Sequence, residues 1–105
     1  MRETAIMNAI RMALSARGVV LRLNNGVWAT PDGRRVSSGL PPGTSDLLFV
    51  GHGFVAFIEV KTEAGRLRPE QAHFLREMAR LGHRTGVARS VEDALKITEE
   101  EQENG

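Results

Sequence analysis

The sequence predicts an α/β or α+β domain in which helices flank a mixed central sheet. Two stretches with helical spacing of apolar residues, 4–16 and 69–81, bracket a pair of apolar runs joined by a glycine-rich turn. A short strand-like segment, 84–88, follows the second helix, and a helix between two strands favours their parallel placement.

Ile6, Ile10, Ala13 and Leu14 repeat at helical spacing, and Gly18 supplies a stop. Val19 to Leu23 reads as a strand, Asn24-Asn25-Gly26 as a turn, and Val27 to Thr30 as a short return strand. Thr30-Pro31-Asp32-Gly33 has strong turn chemistry, and the two prolines within Gly39 to Gly43 mark a loop. Leu47 to Val50 and Phe54 to Phe57 flank Gly51-His52-Gly53 as a hairpin. Pro69 suits the first turn of a helix that buries Leu75, Met78, Ala79 and Leu81 and ends at Gly82. Ser90 with Asp93 reads as the cap of a last helix containing Val91, Ala94, Leu95 and Thr98.

The chain of 105 residues is read as one domain, 1–98, with an acidic tail, 99–105. It has no cysteine, which excludes disulfides and thiolate zinc sites, and no apolar run of membrane-spanning length, so a cytoplasmic protein is expected. The net charge of +1 hides an asymmetry: residues 1–98 carry 14 basic against 9 acidic side chains. Twelve of those bases are arginine, whose planar fork pairs well with phosphate. No P-loop pattern is present, so no nucleotide cofactor is expected.

If His52-Gly53 is the two-residue turn, Asp46 faces Glu59 across the hairpin, and strand alternation keeps Lys61 on the same side. Leu47, Phe49, Phe54, Ala56, Ile58 and Val60 then form the core face. Opposed carboxylates repel, so they must share a proton or hold a cation. A hard divalent ion takes one or two carboxylates plus waters and a substrate phosphate, and a lysine beside it offsets developing negative charge. That constellation belongs to metal-assisted phosphodiester hydrolysis. The competing reading is a solvated cross-strand face, and a register shift of one residue would separate the two acids.

The residues and element order together resemble the PD-(D/E)XK nuclease superfamily, most closely its virus-type replication-repair nuclease (VRR-NUC) family. The resemblance rests on Gly43-Thr44-Ser45-Asp46-Leu47, Ile58-Glu59-Val60-Lys61 and Leu67-Arg68-Pro69-Glu70-Gln71, with Gly86-Val87-Ala88 and the helix after it. It implies a restriction-endonuclease-like core of order α-β-β-β-α-β with a C-terminal helix. It further implies a deoxyribonuclease using Mg2+ or Mn2+, with Asp46, Glu59 and the Val60 carbonyl as metal ligands and Lys61 and Gln71 completing the catalytic set. Glu3 is offered as a further ligand by a glutamate near the first helix of related enzymes. Free-standing members resemble Holliday-junction resolvases, which points to branched DNA as substrate, a homodimer, and a phage or prophage origin. A less selective or restriction-type endonuclease and a non-cutting DNA-binding module are the alternatives. Ser45 stands where the superfamily often has proline, and Arg68 where a serine or threonine cap is common.

Arg66, Arg68, Arg34 and Arg35 are candidate contacts to the DNA backbone. Trp28 is expected in the core, with base stacking or a dimer contact as alternatives. His52 reads as a turn residue and His73 as an exposed helix residue, so no histidine general base is expected.

Overall fold

The computed structural model describes residues 2–100. Its elements are α1 (Glu3–Ser15), β1 (Val19–Arg22), β2 (Val27–Ala29), β3 (Arg35–Ser37), β4 (Leu47–Val50), β5 (Val55–Val60), α2 (Pro69–Arg80), β6 (Arg84–Ala88) and α3 (Val91–Ile97). A four-stranded sheet runs in the order β1-β4-β5-β6, antiparallel except for the parallel β5-β6 pair, and β2 with β3 forms a separate two-stranded sheet. Of the expected acidic tail, Glu99 and Glu100 are among the described residues, and 101–105 lie outside them. No helix among the described residues is long and apolar enough to cross a membrane.

The hydrophobic core lies on one face of the main sheet. Ile6, Met7, Ile10 and Leu14 of α1 and Ala94 of α3 meet Leu47, Phe49, Ala56, Ile58, Val60 and Ala88 from the strands. These strand residues alternate inward, as the sequence predicts. The other face is covered over β5 and β6 by α2, where the rings of Phe57 and Phe74 meet edge-on with centroids 5.5 Å apart. The acidic face of the β4-β5 hairpin is therefore roofed by a helix, giving three layers.

Three expectations change. Val27 to Ala29 does form a strand, but it pairs with Arg35–Ser37, and β1 pairs with β4. A single half-buried valine, Val36, lies in β3, too little apolar signal to mark a strand in the sequence. Trp28 lies outside the core and is 49% exposed, because the hairpin that carries it packs extensively only on itself. In α2 the inward row is Gln71 and Leu75 with Phe74 and Met78 beside it, whereas Ala79 and Leu81 face outward. The helix closes on a Schellman turn, with the His83 N–H donating to the Met78 carbonyl and the Gly82 N–H to Ala79, both at 3.0 Å.

Several arginines are structural. Arg17 and Arg84 donate to carbonyls at the C-terminal end of α3, and the Arg84 guanidinium also lies 3.8 Å from the centre of the Phe54 ring. The arginine excess is thus partly consumed in holding the fold.

Candidate active site

The site forms where β4 begins, β5 ends and α2 starts. The register pairs Leu47 with Ile58, and the Gly51 N–H donates to the Phe54 carbonyl at 2.9 Å, so His52-Gly53 is the turn. One step beyond the ladder, that register sets Asp46 opposite Glu59. Asp46 also closes the ladder with its side chain: Oδ2 accepts from the Val60 N–H at 2.9 Å. A strand residue directs its N–H and C=O to the same side, so the Val60 carbonyl opens toward the Asp46 carboxylate. On the outer flank the Asp46 carbonyl accepts from the Leu23 N–H at 2.8 Å, tying the acid to β1.

Glu59 is 2% exposed. Its Oε1 accepts from Gln71 Nε2 at 3.3 Å and lies 4.0 Å from Lys61 Nζ. Its Oε2 is buried with no hydrogen-bond partner. A buried, unpartnered carboxylate oxygen is costly unless it takes a proton or a cation. The Glu59 carboxyl is pushed up to about 8, by burial first and by the adjoining Asp46 carboxylate next, with a smaller push from the charge of Glu3 and Lys61 opposing. The hard oxygens of Asp46, Glu59 and the Val60 carbonyl suit a hard divalent cation, which would supply the partner that Oε2 lacks. Among the described residues no three Asp, Glu, His or Cys side chains group to hold a metal, so the acids stand as a pair, and a third oxygen would have to come from the backbone, where the Val60 carbonyl faces them.

Gln71 serves two elements. Its Oε1 accepts from the Arg68 N–H at 2.9 Å, capping α2 where Arg68 offers no capping side chain, and this fixes the amide so that Nε2 faces Glu59. The missing serine or threonine is therefore offset from the third helical position.

The loop before Asp46 is seated on the same helix end. Gly43 has φ +80°, and a Cβ there would stand 2.1 Å from the Glu70 carbonyl oxygen and 2.8 Å from the Gln71 nitrogen. Only glycine permits both that conformation and that approach. On the far side of Lys61, Arg89 Nη1 donates to the carbonyls of Thr62, Glu63 and Gly65 at 2.6, 3.2 and 2.5 Å. Arg89 clamps the connection that leads to Arg66 and Arg68. A lone arginine after a short strand gives no sequence signal for such a role, whereas Gly43 was visible as part of the motif ending in Asp46.

The structure brings Asp46, Glu59, Lys61, Gln71 and the Val60 backbone into one corner, with the Glu3 charge felt there. Arg66 and Arg68 lie exposed on the connection after Lys61, and Arg68 pairs with Glu70 at 3.3 Å. Arg34 and Arg35 lie on the β2-β3 hairpin, where Arg34 pairs with Asp32 at 3.0 Å. His52 and His73 are exposed and stand in the turn and on the outer side of α2, as expected.

The family model for the VRR-NUC domain matches residues 2–92 of this chain. A solved structure described as a VRR_NUC domain superposes with a TM-score of 0.66 at 24% identity, covering 90% of this chain and 91% of that one, which is a likeness of fold. No curated protein matches significantly.

Proposed function

The chain belongs to the VRR-NUC family of PD-(D/E)XK nucleases, and from that premise we propose that it is a divalent-metal-dependent endodeoxyribonuclease whose site is Asp46, Glu59, Lys61 and Gln71 with the Val60 carbonyl. The observation that carries this reading is the buried Asp46–Glu59 pair, with one Glu59 oxygen unpartnered and a lysine alongside.

Asp46, Glu59 and the Val60 carbonyl would hold Mg2+ or Mn2+. A cation bound there supplies a Lewis acid toward the scissile phosphate and makes the attacking water more acidic. The protein's own groups do the rest. Lys61 is held 4.0 Å from Glu59, a loose contact that leaves ammonium protons for a phosphate oxygen or for orienting the nucleophile. Gln71 fixes the Glu59 carboxylate by holding Oε1 and leaves Oε2 without a partner. Arg66 and Arg68, exposed on the connection after Lys61, would meet the flanking phosphates.

Branched DNA is the proposed substrate and a two-fold dimer the proposed assembly. The dimer has support in β1, an edge strand whose Val19 and Leu21 are exposed beside Val50 of β4, leaving an apolar strip that α2 does not cover.

Incubation with a four-way junction and with linear duplex, in Mg2+, Mn2+ or EDTA, tests the reading. Metal-dependent cutting that is lost in Lys61→Ala and favours the junction is expected. Equal cutting of both DNAs would remove the junction preference, and cutting that survives Glu59→Ala would remove the site assignment. A monomeric mass in solution would remove the dimer.

A further inference from the structure

The β2-β3 hairpin packs extensively against no other helix or strand of the described chain. It is ordered within itself. The Ser38 N–H donates to the Gly26 carbonyl at 2.9 Å at its base, and the Thr30 N–H to the Arg34 carbonyl at 2.8 Å near its tip. The tip is Pro31-Asp32-Gly33 with Gly33 at φ +86°, a type I turn followed by a left-handed residue, which is a standard three-residue hairpin loop. Yet its strands cover almost nothing: Val27 is 57% and Trp28 49% exposed, and of the six strand residues only Val36, opposite Trp28, is half-buried.

Its position is specific. The chain enters the hairpin from Leu23, which is bonded to the Asp46 backbone, and leaves it through the loop that Gly43 seats on α2. Both connections to the hairpin are therefore tied beside the Asp46–Glu59 corner, one to the Asp46 backbone and the other to the first turn of α2. Its charge is specific as well. Asp32 is the only acid between Glu3 and Asp46, and Arg34 pairs with it at 3.0 Å. Among the described residues no ion pair involves Arg22, at the end of β1, or Arg35, on β3.

The register sets Trp28 with Val36 on one face of the ribbon and Arg35 with Ala29 on the other. An exposed aromatic ring on one face and a guanidinium without an ion pair on the other, rooted beside a phosphodiester-cutting corner, match the chemistry of a polynucleotide held on both faces: a flat base or sugar against one and phosphate against the other. We infer that the β2-β3 hairpin is a substrate clamp that enters the DNA with both faces in contact, Trp28 packing on a base or deoxyribose on one face and Arg35 meeting a backbone phosphate on the other. This rests on the nuclease reading above and adds to it a contact outside the catalytic corner. A protein partner is the other class of occupant, and the arginines without acidic counterparts favour the nucleic acid.

The chain has one tryptophan and no tyrosine, so its intrinsic emission reports Trp28 alone. The Glu59→Gln protein in EDTA, which cannot cut, is titrated with a fluorescently labelled four-way junction and with a labelled duplex, following label anisotropy and Trp28 emission together. Emission is expected to be quenched and to saturate with the anisotropy. Trp28→Ala is expected to weaken binding roughly tenfold or more, with Trp28→Phe restoring most of it. Arg35→Ala is expected to lower the salt dependence of binding by about one phosphate's share.

Saturable anisotropy with unchanged emission and unchanged Trp28→Ala affinity would overturn the clamp while leaving a metal-dependent nuclease in place. Absence of any DNA binding would also overturn it. Emission that shifts with protein concentration alone would assign the hairpin to a second copy instead. Binding with Trp28 quenching in a wild-type protein that never cuts would keep the clamp and reject the nuclease reading.

Discussion

Around Glu59 the chain converges: β1 reaches Asp46 through a backbone bond, α2 reaches Glu59 through Gln71, and Gly43 brings a loop onto the same helix end. In the β2-β3 hairpin, by contrast, two strands bond only to each other and present a tryptophan to water. The difference separates two demands on a nucleic-acid enzyme. Chemistry needs charged groups held out of water at fixed positions, where burial raises a carboxyl and strengthens its appetite for a cation. Grip needs side chains that remain available, at little expense to the stability of the body.

The comparison breaks first at the corner. Lys61→Ala and Glu59→Ala are each expected to lower DNA cleavage by roughly a thousandfold or more, measured as single-turnover rates on duplex or junction. Gly43→Ala is expected to destabilise the fold by about 2–4 kcal/mol, because it combines a positive φ with a backbone overlap; urea titration reads this directly.

A third expectation concerns pH. The native Glu59 carboxyl sits near 8 against an ordinary value of 4.5, so between those values the folded state binds more protons than the unfolded one. Stability of the metal-free protein should therefore fall as pH rises through that window, by up to about 1.4 kcal/mol per unit, and level off above it. Glu59→Gln should flatten this slope and make the metal-free protein more stable than its parent at pH 8. Added Mg2+ should bind more tightly as pH rises, since binding releases the Glu59 proton. A parent slope that matches Glu59→Gln would show that Glu59 is ionised without metal.

The smallest effect is expected in the hairpin. Trp28→Ala and Val36→Ala should change unfolding free energy by no more than about 0.5 kcal/mol, because neither side chain supports the core. A larger loss would mean that the hairpin is packed in solution and would erase the contrast drawn above.

The sequence made the corner legible because its geometry is local. A two-residue turn fixes the register, the register places Asp46 opposite Glu59, and alternation sets the core face from Leu47 to Val60. In α2, Ala79 and Leu81 face outward against expectation because helical spacing alone does not say which turn meets the sheet, and a polar residue, Gln71, leads the inward row. The hairpin was half visible through Pro31-Asp32-Gly33, but Arg35-Val36-Ser37 carries no apolar alternation. The Arg89 clamp joins residues more than 20 positions apart, and no local pattern encodes it.

The two bonds of Gln71 tie together quantities usually treated separately. The Arg68 amide hydrogen is covered by the same side chain that steadies Glu59, so the winding of α2 at its first turn and the ionic state of the carboxyl cannot vary independently. The exchange rate of that one amide with solvent thereby becomes a gauge of the Glu59 corner, readable without any substrate.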